Sequence, residues 1–147
     1  MALQEGKPAP HIKTSEFDLA KLKGQKVVLF FFPKADTPGC TKEACEFRDS
    51  APSFKRHDTV IVGISPDKAA AQQKFKLKYD LPYQFVEDPE HTIAEAYGVW
   101  KEKSMYGRTY MGIERSTFII DEKGKIAKIF PKVSVTGHAA AVLEALG

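Results

Sequence analysis

Cysteine is scarce in this chain: there are two in 147 residues. That is too few for the disulfide framework of a small secreted domain. Long apolar runs are missing too. None approaches the roughly 18 residues a membrane-spanning helix requires, so no membrane association is expected. Met1 to Lys13 shows no basic stretch followed by an apolar one, and it lacks the Arg-rich, Ser-rich, acid-poor composition of a transit peptide. Neither kind of targeting segment is therefore expected, and a cytoplasmic location is. An excess of one charge is also absent. The 22 Lys and Arg stand against 19 Asp and Glu, and the signs are interspersed, as in Lys101-Glu102-Lys103 and Asp121-Glu122-Lys123. A nucleic-acid surface gathers its basic residues on one face, so no nucleic-acid partner is expected. Repeats, low-complexity stretches and linkers are missing as well. The length suits one domain, residues 1–147, around one core.

Against these absences stand short, strongly apolar runs. Val27 to Phe32 is β-branched at its start, aromatic at its end and stopped by Pro33. It reads as a buried strand, as do Val60 to Ile64 and Ser116 to Ile120. Asp121 to Gly124 reads as a turn into a last strand, Lys125 to Phe130. Tyr83 to Val86 is a weaker strand candidate. Helices are expected between them. Pro38 to about Phe54 places Cys40, Ala44, Phe47, Ala51 and Phe54 on one face, with a break near Ala51 because of Pro52. Asp67 to Tyr79 is a second helix, capped by Asp67 or Ser65. Glu90 to Tyr97 and Gly137 to Leu146 follow. Strands alternating with helices and ending in a hairpin predict an α/β fold with a mixed sheet.

Both cysteines fall in one six-residue segment, Cys40-Thr41-Lys42-Glu43-Ala44-Cys45. Thr37 is a favoured N-cap residue and Pro38 suits the first helical position. Cys40 then lies in the first turn, where unpaired N–H groups and the positive end of the helix dipole favour a thiolate, the nucleophilic form. Gly39 permits close approach of backbone or substrate. A second reading, a small buried thiol that only packs, stands beside the first. Cys45 lies about 8.7 Å from Cys40 along an ideal helix. A disulfide needs Cα atoms within about 7 Å, so the two cannot bond while the helix is intact. Zinc sites use paired ligands with two to four intervening residues and a second ligand pair. The four histidines, His11, His57, His91 and His138, show no such spacing. They are expected at the surface, and no metal or cofactor is expected.

The segment Phe32-Pro33-x-x-x-Thr37-Pro38-Gly39-Cys40-Thr41-x-Glu43-Ala44-Cys45-x-Phe47-Arg48-Asp49 resembles the active-site signature of peroxiredoxins, in particular the bacterioferritin-comigratory-protein or peroxiredoxin Q group. The likeness continues through Ile64-Ser65-Pro66-Asp67 and Trp100-x-x-Lys103-x-Met105-Tyr106-Gly107 to Gly112-Ile113-x-Arg115-Ser116-Thr117-Phe118-Ile119-Ile120-Asp121. It implies a thioredoxin-like fold and a thiol-dependent peroxidase. On that resemblance Cys40 is the peroxidatic thiolate and Cys45 the resolving partner. Thr37 donates a hydrogen bond at the cysteine or the peroxide oxygen, Pro33 shields the site, and Arg115 stabilises the charge passing to the leaving oxygen. A hydroperoxide is the implied substrate and thioredoxin the implied reductant; a monomer is expected because both cysteines lie on one helix and no long exposed apolar stretch demands a partner. For Glu43 the alternatives are orienting Arg115 and an ordinary helix-surface carboxylate. For Trp100, Met105 and Tyr106 they are pocket lining and core packing. A thiol–disulfide oxidoreductase of the thioredoxin type would share the fold but expects two residues between its cysteines, where this chain has four. A binding or chaperone module would leave Thr37, Cys40 and Arg115 without joint purpose.

Overall fold

A run that is apolar at every position has no face to offer water and must be covered on both sides. In the computed structural model, which describes residues 3–146, Val27 to Phe32 supplies β1 (Lys26–Phe31), the middle strand of a five-stranded sheet. The sheet order is β3 (Gln84–Glu87), β2 (Thr59–Ser65), β1, β6 (Ser116–Ile120), β7 (Ile126–Phe130). β2 pairs in parallel with β1, and β3 in parallel with β2. β6 and β7 add antiparallel strands on the other side. The helices are α1 (Pro38–Arg56), α2 (Ala69–Tyr79), α3 (Thr92–Ala96) and α4 (His138–Ala145). The α/β fold is thioredoxin-like: a central mixed sheet flanked by helices. No helix among the described residues is long and apolar enough to cross a membrane.

Side chains alternate across β1, and each face has its own core. Val27, Leu29 and Phe31 pack with Ala94, Tyr97 and Phe118. Val28, Phe30 and Phe32 pack with Phe47, Phe54, Phe75 and Val142. Cys40 and Ala44 belong to this second layer, so the thiol rests on the face covered by α1.

Three local expectations differ from what forms, and one feature was not expected. α1 does not break at Ala51 but runs as one helix through Pro52 to Arg56. Proline removes one backbone hydrogen bond and crowds the preceding turn. Burial of Phe47 before it and Phe54 after it, with ring centroids 5.8 Å apart, holds both halves on the sheet. Neither Asp67 nor Ser65 caps α2. Lys68 takes that position, and Glu87 of β3 accepts from Ala69 N at 2.7 Å. His138 is buried rather than at the surface. It lies against Phe47 and Phe130 and shares a 2.7 Å hydrogen bond with Thr117. Burial, followed by the nearby Arg115 charge, pushes its pKa down to about 4. The feature not expected is a separate two-stranded hairpin of β4 (Trp100–Met105) and β5 (Arg108–Ile113).

Gly63 of β2 is paired with Phe30 on one side and Phe85 on the other. Both rings close over it: a Cβ there would lie 2.7 Å from Phe85 Cε1 and 2.9 Å from Phe30 Cζ. Overpacking a rigid core costs about 1–3 kcal/mol. Gly63→Ala should therefore lower stability by about 2 kcal/mol, read as a lower urea midpoint at unchanged slope, and an unchanged midpoint would show that the rings move aside freely.

Candidate active site

The reactive segment begins where β1 ends. Phe32 N still bonds Ile64 O at 3.1 Å, and the chain then leaves the sheet at Pro33. Two carboxylates anchor the loop that follows. Asp67, just beyond β2, accepts from Ala35 N at 2.7 Å and from Ser65 Oγ at 2.8 Å. Asp36 accepts from Tyr79 Oη and Lys78 Nζ, both at 2.9 Å. The backbone at Asp36 is left-handed, φ 62°, a conformation that aspartate tolerates better than most residues. Thr37 takes the N-cap position of α1 with extended backbone, φ −98° and ψ 157°, and Pro38 opens the helix. The Thr37 hydroxyl makes no cap bond and instead donates to Lys34 O at 2.8 Å. This corrects the expected donor role: its single proton is used on the loop rather than on the sulfur or the peroxide, and its lone pairs remain to accept. The first-turn N–H groups of α1 have no intrahelical acceptor and form the positive end of the helix dipole.

Arg115 arrives from the other side of the sheet. In the antiparallel register Phe31 opposes Ser116, so the residue before β6 falls beside the loop after β1. Its Nη2 donates to Cys40 Sγ at 3.3 Å, and its Nη1 donates to Glu43 Oε1 at 2.7 Å. Gly39 leaves the room this needs, since a Cβ there would lie 3.2 Å from Nη2. Cys40 and Glu43 are each 1% exposed, and the Arg115 side chain is 17% exposed. Burial opposes the guanidinium charge, but Glu43 and Cys40 beside it hold its pKa above the ordinary range. For Glu43, burial outweighs the attraction of Arg115 and pushes the carboxyl up to about 7. Its second oxygen, Oε2, is buried without a hydrogen-bond partner. Glu43 is thus no surface carboxylate; it shares the guanidinium with the thiol.

Cys45 lies on the same uninterrupted helix, half-buried and free, as is the buried Cys40. Two contacts fix the helix around it. Tyr83 Oη donates to Ala44 O at 2.7 Å, and Arg48 Nη1 donates to Tyr79 O at 2.9 Å. The structure therefore joins Cys40 and Arg115, puts Thr37 at the N-cap three residues before Cys40, leaves Pro33 half-buried at the strand end, and keeps Cys45 further along α1. Trp100 takes the packing role, half-buried against the core, whereas Met105 and Tyr106 take neither of their expected places. Trp100 stacks on His91, centroids 3.8 Å apart. Met105 and Tyr106 are exposed, lining a hairpin depression with Arg108, Thr109 and Tyr110. From sequence, no site role falls to Asp36, Tyr83 or Asp67, although Asp67 is read there as a helix cap. Of these only Asp67 had a signal, its place in the Ile64-Ser65-Pro66-Asp67 match.

A buried cysteine at a helix start, touched by a guanidinium from across the sheet, has a counterpart among known families. The AhpC/TSA family model matches residues 6–129. The chain belongs to the AhpC/TSA family. Within it the similarity is to peroxiredoxins of the bacterioferritin-comigratory-protein and peroxiredoxin Q group. The putative peroxiredoxin bcp of Coxiella burnetii is 47% identical, over 99% of this chain and 100% of that protein. Peroxiredoxin Bcp of Bacillus subtilis is 48% identical over 99% of this chain and 96% of its own. Among solved structures, peroxiredoxin Q of Xanthomonas campestris superimposes with a TM-score of 0.85 at 38% identity, covering 88% of this chain and 82% of that one. These relatives support thiol-dependent peroxidase activity.

The Arg115–Glu43 pair has a pH signature. Glu43's folded pKa, about 7, is above its ordinary 4.5. The stability it contributes is thus full below pH 4.5 and lost as pH rises through 7. Removing Arg115 leaves the carboxylate buried and unpaired, a loss on the order of 3 kcal/mol. Arg115→Ala should therefore destabilise the fold more at pH 8 than at pH 5. Adding Glu43→Gln should flatten the difference. Urea midpoints at both pH values check this, and equal losses at the two would exclude the coupling.

Proposed function

We propose that this peroxiredoxin reduces hydrogen peroxide and organic hydroperoxides through Cys40. The single observation that carries the reading is the 3.3 Å contact between Arg115 Nη2 and Cys40 Sγ at the start of α1. A fixed cation there stabilises the thiolate and then the negative charge that develops on the departing oxygen. The thiolate attacks the terminal peroxide oxygen: an S–O bond forms, the O–O bond breaks, and sulfur becomes a sulfenic acid. Thr37, its proton given to Lys34 O, accepts from the O–H of the incoming hydroperoxide, and Pro33 limits access of water to the sulfur.

Cys45 then attacks the Cys40 sulfenic sulfur, water leaves, and an intramolecular disulfide forms. The helical separation of about 8.7 Å exceeds the disulfide limit of about 7 Å. The N-terminal part of α1 therefore unwinds for this step, which carries Cys40 away from Arg115 and presents the disulfide to thioredoxin. Both cysteines belong to one helix, so no second subunit is needed and the working form is a monomer.

Cys40→Ser should abolish peroxide consumption. Cys45→Ser should retain one turnover, accumulate sulfenic acid on Cys40 and lose recycling by thioredoxin. Mass spectrometry after one equivalent of peroxide reads both, and unimpaired thioredoxin-driven turnover of Cys45→Ser would remove Cys45 from the cycle. Amide exchange adds a structural test. Protection of residues 40–49 should fall on disulfide formation while β1 stays protected, and equal protection in both states would mean the thiols meet without unwinding.

A further inference from the structure

One guanidinium serves two buried acids in this site. Arg115 Nη1 meets Glu43 Oε1 at 2.7 Å and Nη2 meets Cys40 Sγ at 3.3 Å. A single positive charge can neutralise only one of them. Both are 1% exposed, so a second negative charge would be buried with nothing to balance it, an expensive arrangement. The other charged and titratable groups near the trio do not supply a close partner. Glu46, on the same helix, adds repulsion to Glu43. Tyr83 donates its proton to Ala44 O. Lys103 of β4 lies within electrostatic range of Arg115 and Cys40, and His138 of α4 lies within range of Arg115. The described residues show no hydrogen bond from either of these to Glu43, and Glu43 Oε2 is left without any partner. A buried carboxyl oxygen with no donor facing it suits the protonated form, which carries no charge to compensate.

We infer that Glu43 holds a proton while Cys40 is a thiolate and releases it when Cys40 becomes a sulfenic acid, so that the site keeps one anion against one cation throughout the peroxide step. This makes Glu43 a positioning residue of an electrostatic kind, and it rests on Cys40 being the attacking thiolate. The step balances. The thiolate attacks R–O–O–H, two electrons pass from sulfur to the peroxide, and neutral Cys40 sulfenic acid and an alkoxide result. The alkoxide takes up a proton to become the alcohol. With the thiolate gone, Arg115 lacks an anion, and Glu43 ionises to supply it. The proton Glu43 sheds equals the one the alkoxide consumes, so bulk water neither gains nor loses any. The carboxyl's pKa of about 7 agrees with a group that can exchange its proton under neutral conditions.

The test is a proton count on the full-length Cys45→Ser protein, which stops at the sulfenic acid. The reduced protein is mixed with one equivalent of hydrogen peroxide in weakly buffered solution near neutral pH with an indicator dye. Thiolate absorbance is read beforehand, and the sulfenic acid is trapped afterwards. The expected result is thiolate present, sulfenic acid formed and no net proton uptake. Adding Glu43→Gln, which keeps an oxygen for Arg115 but cannot ionise, should change the uptake from none to one proton per sulfenic acid. Infrared difference spectra of Cys45→Ser give an independent reading should the double variant fail to fold. The C=O stretch of a protonated carboxyl should disappear on oxidation and a carboxylate band should replace it. Uptake of one proton per sulfenic acid by Cys45→Ser would overturn the inference, and so would an infrared difference with no carboxyl band lost. Failure to form any sulfenic acid on Cys40 would instead refute the peroxidase reading on which it rests.

Discussion

Arg115 reaches across the end of the sheet and divides its two Nη groups between a thiol and a carboxyl. Much of the surrounding architecture serves that reach. The antiparallel register of β1 and β6 delivers Arg115 to the loop after β1. Gly39 clears the space for its Nη2. Asp67 and Asp36 tie the loop to β2 and α2, so that α1 starts in a fixed place. A guanidinium is suited to this position because it stays charged and offers several donors in one plane, whereas an ammonium would present a single point charge. Burial makes the arrangement consequential, since charges removed from water interact more strongly and are less screened by salt.

What could be read from the sequence follows from how local each signal is. β1, β2 and β6 were legible because each is a short apolar run, and runs of that kind belong in a covered sheet. The start of α1 was legible because Thr37, Pro38 and Cys40 are neighbours. The β4–β5 hairpin was not. Its strands carry mostly exposed residues, with no buried face to impose a period of two. Its turn is Tyr106-Gly107, both at positive φ, 52° and 77°, where Asn-Gly is the usual signal. Continuation of α1 through Pro52 depends on burial of Phe47 and Phe54 by other parts of the chain, which overrides the local penalty. Asp67 was read as a helix cap because aspartate favours that role. The loop it holds is 32 residues away in the chain.

The candidate site divides in the same way. Cys40 and its helix start stand in one local segment, but Arg115 lies 75 residues further on, and only the resemblance connected the two. Glu43 left both readings open, since a carboxylate on the first turns of a helix is usually solvated. Its burial comes from the sheet beneath α1 and the arginine beside it, neither of which local spacing reveals. Tyr83 carried no local sign of a role at all. Its hydrogen bond to Ala44 O becomes visible only when the strand region around β3 is laid beneath α1.

That tyrosine and Arg48 have a consequence for the redox poise of the protein. Both brace α1 beside Cys45. An intact helix and a disulfide between Cys40 and Cys45 exclude each other on distance alone. Every increment of free energy that holds α1 in shape is therefore subtracted from the stability of the disulfide. For a two-electron couple about 1.4 kcal/mol corresponds to roughly 30 mV. In the proposed cycle the braces thus act as a setting on the reduction potential: the firmer they hold, the more oxidising the Cys40–Cys45 pair and the more readily a dithiol would return it to the reduced state. A side chain that never meets peroxide would in this way help to decide which reductants in a cell can keep the enzyme turning over.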